Sequence, residues 1–361
     1  MAIGLQNTAF IDTFRKFFQD FHGARLKTLV LIVQAMAAVG SINLVKVAAG
    51  MKTEVSPASN YRRIQHFIHE IRLKPELLIP FLLKLAGIEA PYTLILDRTN
   101  WEFGKAKINF LMLSVYGNGW SIPILWSLLP KKGNSNEQER IELLDRFFTI
   151  VGKGKIYNLL ADREFIGDKW IRYLIDHEIP FDIRVRENMI VLYEGRRLRL
   201  TSWFKGIPIG KPTTIRGMVV LGTNKVYVQG ERIVNSKTNK IEWLIVSTYH
   251  QPGESIKRYG QRWYIENMFK DMKSNGFQLK CTHITDPERL STLMSILAIA
   301  YTWMIRIGTW VKKIKPEIFK KKKHGRPAKS IFRAGLEEFA NAIYTLCLVR
   351  LKMYFSFLSC T

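Results

Sequence analysis

The spacing of apolar residues divides the chain into regions of different period. Up to about residue 88 the apolar positions recur at helical intervals. Leu26 to Ala38 is a near-continuous apolar helix pattern that Gly40 ends, and Ile42–Ala49 and Tyr61–Ile71 follow as two short helices. The stretch between those two, GMKTEVSPASN, carries Gly, Pro and several capping residue types and reads as a turn. A helix, a turn and a second helix bearing Arg62, Arg63 and His66 is compatible with a DNA-reading pair. It is equally compatible with a small helical bundle that turns a charged face outward.

From Pro91 the period shortens. Tyr92–Leu96 is a short β-type run ending on Asp97, and Ile108–Tyr116 and Trp120–Leu128 flank Gly117-Asn118-Gly119, a strong hairpin signal. Asn136 opens a helix pattern with Ile141, Leu144, Phe147 and Phe148 at helical spacing. Ile156–Ala161 is an apolar strand ending on Asp162, Lys169–Asp176 a helix, and Phe181–Val185 a strand. The order β-β-β-α-β-α-β predicts an α/β mixed sheet covered by helices. Residues 188–247 alternate in short runs: Ile190–Tyr193, Arg197–Leu200, Thr213–Leu221, Lys225–Val228 and Trp243–Thr248. Gly, Pro and Asn punctuate them, so the segment reads as an all-β insertion. Helical patterns return from Ser255. Leu290 to Ile305 is the longest apolar run. It is short for a membrane span and is followed by Arg306, so a buried helix is expected. Regions 1–88, 89–187, 188–247, 248–310 and 311–361 are the expected units. No repeat of 20–50 residues occurs.

Composition narrows the function. A hydrophobic content of 47% excludes a disordered chain, and three cysteines (Cys281, Cys347, Cys360) in 361 residues exclude a disulfide scaffold. No CxxC is present, and His66 and His69 have no further ligand nearby, so structural zinc is not expected. The start, MAIGLQNTAFIDTFRKFF, does not read as a signal peptide, which predicts a cytoplasmic, nucleoid-associated protein. Lys and Arg number 55 against 30 Asp and Glu, a formal charge of +25, so the expected partner is a polyanion, nucleic acid before anionic membrane. The most basic stretch, Val311 to Arg333, holds Pro316, Gly325 and Pro327, which break the amphipathic helix a membrane anchor needs.

Asp97 and Asp162 each follow an apolar strand. Carboxylates at strand ends can converge, and converging carboxylates suit Mg²⁺, a hard cation that takes oxygen ligands. Two such ions roughly 3.5–4 Å apart serve phosphoryl transfer. Taken singly, each Asp reads better as a loop or helix cap. Tyr259, Arg262, Glu266 and Lys273 share about 60° of a helix surface, with Ile265, Met268 and Met272 opposite. One face thus carries a phenol, a guanidinium, a carboxylate and an ammonium. Spacing alone favours a solvated face with Arg262–Glu266 as an ordinary i,i+4 pair.

Tyr259-x2-Arg262-x3-Glu266-x6-Lys273, within GQRWYIENMFKDMKSNGF, resembles the Y-x2-R-x3-E-x6-K signature of insertion-sequence transposases, in the branch with a β-rich insertion. Asp97 in LILDRTNW and Asp162 in LLADREFIG resemble that family's other two motifs, and ERLSTLMSILAIAYTWMIR resembles the helix after its catalytic Glu. The resemblance runs from about residue 90 to 310, and the insertion read at 188–247 accounts for the long Asp162–Glu266 gap.

The resemblance implies a ribonuclease-H-like core and an Asp-Asp-Glu triad of Asp97, Asp162 and Glu266 as catalytic residues and metal ligands. Two Mg²⁺ ions, replaceable by Mn²⁺, and no nucleotide cofactor are implied. Tyr259, Arg262 and Lys273 are then DNA-binding residues, and Trp243, in IEWLIVSTY, is the residue on which an extruded base stacks. Without the resemblance Trp243 reads as a core strand residue. Trp263 is expected to brace the site by packing. Arg163, Arg184 and Arg186 suit phosphates or, equally, bare surface.

The implied partners are double-stranded DNA, at the element ends and the target, and a second copy of the chain. Dimerisation is expected near Leu336–Leu358, which alternatively closes the domain. Lys320–Lys323 with Gly325-Arg326-Pro327 resembles a minor-groove arm or a solvated linker. The rival readings are an inactive DNA-binding repressor and a structure-specific nuclease on the same fold.

Overall fold

The computed structural model describes residues 7–18, 21–235, 238–322 and 327–358. Lys323, Gly325, Arg326 and Cys360 lie outside them, so the arm expected there is only partly described.

The described residues open with five helices: α1 (Asn7–Phe17), α2 (Gly23–Val39), α3 (Leu44–Gly50), α4 (Pro57–Glu70) and α5 (Pro75–Ala86). Gly40 ends α2 in the left-handed region at φ 59, as its position in the apolar pattern predicts. Helix α4 starts earlier than expected. Ser56 accepts a hydrogen bond from the Ser59 backbone N–H and Pro57 sits in the first turn, so residues read as a turn are a capped helix start.

Next come β1 (Tyr92–Phe103), β2 (Ala106–Tyr116), β3 (Ser121–Leu128), α6 (Glu137–Val151), β4 (Ile156–Ala161), α7 (Asp168–Asp176) and β5 (Phe181–Arg184). The hairpin between β2 and β3 closes where expected, with Asn118 and Gly119 both at positive φ. Asn136 and Glu139 form a reciprocal capping box on α6.

Residues 188–247 carry β6 (Ile190–Tyr193), β7 (Arg196–Arg199), α8 (Leu200–Phe204), β8 (Thr213–Thr214), β9 (Val219–Leu221), β10 (Asn224–Val234) and β11 (Ile241–Thr248). The segment is therefore not all-β. Leu200 and Phe204 turn inward at helical spacing, and the Phe204 ring occupies the space that a Cβ on Gly230 would need. Nor is it a separate sheet. Strand β11 pairs antiparallel with β5, and the strand order is β3-β2-β1-β4-β5-β11-β10-β9-β6-β7, with β8 beside β10. Strands β1, β4 and β5 run parallel, and β2 and β3 run antiparallel to their neighbours.

The chain finishes with α9 (Ser255–Tyr259), α10 (Trp263–Lys270), α11 (Pro287–Ile314), α12 (Ile331–Tyr344) and α13 (Leu348–Leu358). Helix α11 has 28 residues, more than its apolar run suggests and enough by length to cross a membrane, but 89% of its most apolar stretch is buried in the fold. It packs on α2, α5, α12 and β3. Two of its buried hydroxyls donate to backbone, Thr292 to the Ile71 carbonyl at 3.0 Å and Ser295 to that of Leu73 at 2.6 Å, whereas the buried Thr302 hydroxyl has no partner among the described residues. Trp126 of β3 donates its indole N–H to Ser291. One hydrophobic core therefore runs from the N-terminal helices through α11 to the sheet. Helices α11 and α12 cross at Gly308 and Gly335. A Cβ on the first would collide with the Ile331 carbonyl, and one on the second with that of Met304.

Candidate active site

Parallel pairing brings the two aspartates together. Leu96 of β1 lies opposite Ala161 of β4, so Asp97 and Asp162 are the next residues on neighbouring strands. Asp97 is not a strand end, contrary to expectation. Strand β1 continues to Phe103 because β2 accompanies it, with Asp97 opposite Met112. Strand β4 does stop. Asp162 accepts the Arg163 backbone N–H at 2.8 Å and caps a 3-10 turn, Arg163–Phe165, that leads the chain away. The capping expected of an isolated Asp is real, and it leaves the Asp162 Oδ2 atom without a donor among the described residues.

The helical segment from Ser255 is not one uniform helix. Helix α9 passes through a 3-10 turn, Gly260–Arg262, into α10, and then into a π-turn, Asp271–Asn275. Tyr259 donates its O–H to Asp162 Oδ1 at 3.1 Å. Arg262 donates Nη1 to Asp97 Oδ2 at 3.0 Å and Nη2 to Glu266 Oε1. Its guanidinium also lies 5.7 Å from the Tyr259 ring centre. Two residues of the helical signature, Tyr259 and Arg262, therefore meet the aspartates, and the Arg262 guanidinium bridges Asp97 to the third, Glu266.

Lys273 is carried elsewhere by the wider π-turn. Its ammonium donates to the Asn100 carbonyl at 2.9 Å and stands over the Trp101 ring, three and four residues along β1 from Asp97. Burial, helped by nearby Lys280 and opposed by Asp97, lowers its pKa to about 8.

Burial raises Asp97 to about pKa 6 even though Arg262 pulls it down. Burial likewise raises the Tyr259 phenol, so it stays a proton donor to Asp162. For Arg262, burial works against the charge. Tyr259, Asp97, Asp162 and Glu266 together outweigh it and hold the proton more firmly than in an ordinary guanidinium. The pocket is thus built to hold positive charge between carboxylates. Among the described residues, no three His, Cys, Asp or Glu side chains cluster closely enough to hold a metal ion as they stand.

The other expected residues divide. Arg184 donates to the Trp243 carbonyl at 3.4 Å and acts electrostatically on Tyr259. Trp243 is half-buried on β11, beneath the Arg232 guanidinium. Trp263 does not brace the site: it is 51% exposed, because the helix turns it away from the buried Ile265 and Met268. Arg163 and Arg186 are exposed. Arg62 and Arg63 are exposed on α4 and take no part in the carboxylate cluster.

Two pairs are not evident from the sequence. Arg98 reaches Glu164 at 3.3 Å, together with Asn109 and Asn134, so the residue after Asp97 is tied to the turn after Asp162. Arg258, immediately before Tyr259, makes a buried two-pronged pair with Asp182 of β5. The one local signal is the repeated Asp-Arg dipeptide at 97–98 and 162–163.

A family model described as the transposase DDE domain matches residues 89–303, more than half of the chain. No curated protein matches.

Proposed function

The chain belongs to the transposase DDE-domain family, and from that premise we propose that it is an insertion-sequence transposase of the YREK branch. In this reading it cuts the element ends and joins them to target DNA. The observation that carries it is the junction of Tyr259, Arg262 and Glu266 with Asp97 and Asp162. The order β3-β2-β1-β4-β5, with β1, β4 and β5 parallel, supports a ribonuclease-H-like core.

The donor set fits Mg²⁺, because every carboxylate atom offered is oxygen and Arg262 already stands as a cation between Asp97 and Glu266. Asp97, Asp162 and Glu266 would hold two ions, with Mn²⁺ able to replace Mg²⁺. When bound, they supply Lewis-acid activation of the attacking hydroxyl and stabilise the leaving oxygen. Tyr259 fixes the orientation of Asp162 through its hydrogen bond. Arg262 neutralises Asp97 and Glu266 until it is drawn to a phosphate, for which its fork is suited. Arg163, Arg184 and Lys273 hold the DNA backbone.

The cut-and-paste route would run through a hairpin. Water nicks one strand, the freed 3′-hydroxyl attacks the opposite strand, water reopens the hairpin, and the 3′-hydroxyl attacks target DNA. Trp243 would receive the base extruded at the bend, base–aromatic stacking being worth roughly 1–3 kcal/mol. Arg62 and Arg63 on α4 are assigned to recognition of the element ends. A homodimer is proposed through the α12–α13 turn, where Tyr344 is 90%, Leu346 75% and Val349 79% exposed.

The test uses the full chain and end-labelled duplex from the flanks of its own gene, with Mg²⁺ and then with EDTA, read on a denaturing gel. A metal-dependent nick at a fixed position followed by a hairpin-sized product is expected. Asp97→Asn, Asp162→Asn and Glu266→Gln should each abolish cutting and spare binding. Binding without cutting in Mg²⁺ or Mn²⁺ would favour an inactive repressor, and cutting of branched DNA alone a nuclease.

A further inference from the structure

We propose that the β6–β7 hairpin is a contact surface for duplex DNA, with its arginines on phosphates and an apolar strip against the groove. The choice of DNA as occupant rests on the transposase reading; the surface itself rests on the register. Ile190 lies opposite Arg199 and Leu192 opposite Arg197, so these four side chains share one face. The other face is packed: Val191 is buried, and the Tyr193 ring meets that of Trp203 at 4.8 Å. Tyr193 also donates its O–H to the Arg216 carbonyl at 2.9 Å. The turn is tight, with Glu194 and Gly195 both at positive φ. The ribbon is therefore fixed in one orientation.

Its outer face breaks the usual alternation. An antiparallel ribbon with one packed face ordinarily turns polar residues to water. Here Ile190 is 48% and Leu192 41% exposed, side by side with the exposed Arg197 and Arg199, while Arg196, opposite Tyr193, stands exposed at the tip on the other face. No carboxylate lies on the outer face; Glu187 precedes it and Glu194 sits in the turn.

Strand β7 is the last strand of the sheet, and its edge carries Arg196, Arg197 and Arg199. A second copy paired along that edge would set these arginines against one another, which is unfavourable. A duplex suits the same features. Its phosphates take the guanidiniums, a two-stranded ribbon fits the major groove, and aliphatic side chains pack on sugars or bases. Ile190 follows Arg184 by six residues, so the hairpin base lies within about 20 Å of that strand end. One duplex could touch both.

The experiment is fluorescence anisotropy of the full chain with a random-sequence duplex over a salt series. The combined Arg196→Gln, Arg197→Gln and Arg199→Gln variant is expected to lower the steepness of log K against log salt by about 2–3. The matching Arg→Lys variant should keep the native slope, which separates lost charge from lost folding. Ile190→Ser with Leu192→Ser should weaken binding severalfold without altering the slope. An unchanged slope in the Gln variant overturns the proposal, as does a switch from dimer to monomer in sedimentation with DNA binding intact. No cleavage is scored, so a chain that fails to nick its ends yet shows the slope change refutes the transposase reading alone.

Discussion

Arg258 holds Asp182 through two prongs, Nε to Oδ2 at 2.7 Å and Nη2 to Oδ1 at 2.9 Å, with both side chains almost wholly out of solvent. The same Nη2 reaches the His250 and Gln251 carbonyls, and Asn158 donates to the same carboxylate. A core strand, the exit of the β-rich segment and the residue before Tyr259 are thereby joined at one point. Removing one partner leaves a buried charge unpaired. Asp182→Asn or Arg258→Met should cost about 3–5 kcal/mol in urea unfolding, and Asp182→Leu with Arg258→Met should recover much of that. Native midpoints in both single variants would show that the pair does not tie the elements together.

Tyr259→Phe removes only the hydrogen bond to Asp162. Loss of such an orienting partner typically costs 10–100-fold in metal affinity or activity. The Mg²⁺ concentration for half-maximal nicking should rise by about that factor, while the melting temperature hardly moves. The titration of nicking rate against Mg²⁺ decides it.

Asp271 gives the fold a pH dependence. Burial pushes its carboxyl from 3.8 up to about 7, and Lys270 and Arg333 oppose this only in part. The folded form therefore binds the proton more tightly than the unfolded chain. Its contribution is most favourable below about pH 4 and is lost as pH rises to about 7, on the order of 3–4 kcal/mol. Asp271→Asn should flatten this part of the stability profile and raise stability at pH 8. Chemical denaturation at pH 5 and pH 8 measures both.

Gly335→Ala tests the helix crossing. The added methyl would meet the Met304 carbonyl of α11, which is backbone and cannot rotate away. A loss of about 1–3 kcal/mol is expected, seen as a lower thermal midpoint. Gly260→Ala, with open space at the Cβ position, is the control.

Features that rest on a few consecutive residues can be read from the sequence. Ile156–Ala161 has its expected bounds, Asn136 caps α6, and Gly40 ends α2. The extension of β1 to Phe103 cannot be read this way. The polar Asp97-Arg98 pair interrupts the apolar run, and the alternation of Thr99, Trp101 and Phe103 with Asn100 and Glu102 beyond it joins the same strand because β2 pairs along its whole length. The same holds for β10, which runs on to Val234 against β11. Within the site, the helical spacing of Tyr259, Arg262 and Glu266 is visible in the sequence. The aspartate partners of Tyr259 and Arg262 are 97 and 165 positions away, and only strand register determines that meeting. Lys273 departs from the helical arc because the π-turn is a local change of pitch that apolar spacing does not report.

The burial of α11 bears on how the protein can be divided for experiment. A fragment ending inside that helix, for instance after Trp303, would strip the indole of its acceptor, the Tyr354 carbonyl, and bare the side that α12 covers. One beginning after α5 would leave the Thr292 and Ser295 hydroxyls facing water where they now meet carbonyls. Isolating the carboxylate cluster for crystallisation or binding work therefore calls for the whole polypeptide, with variation introduced by substitution rather than by trimming.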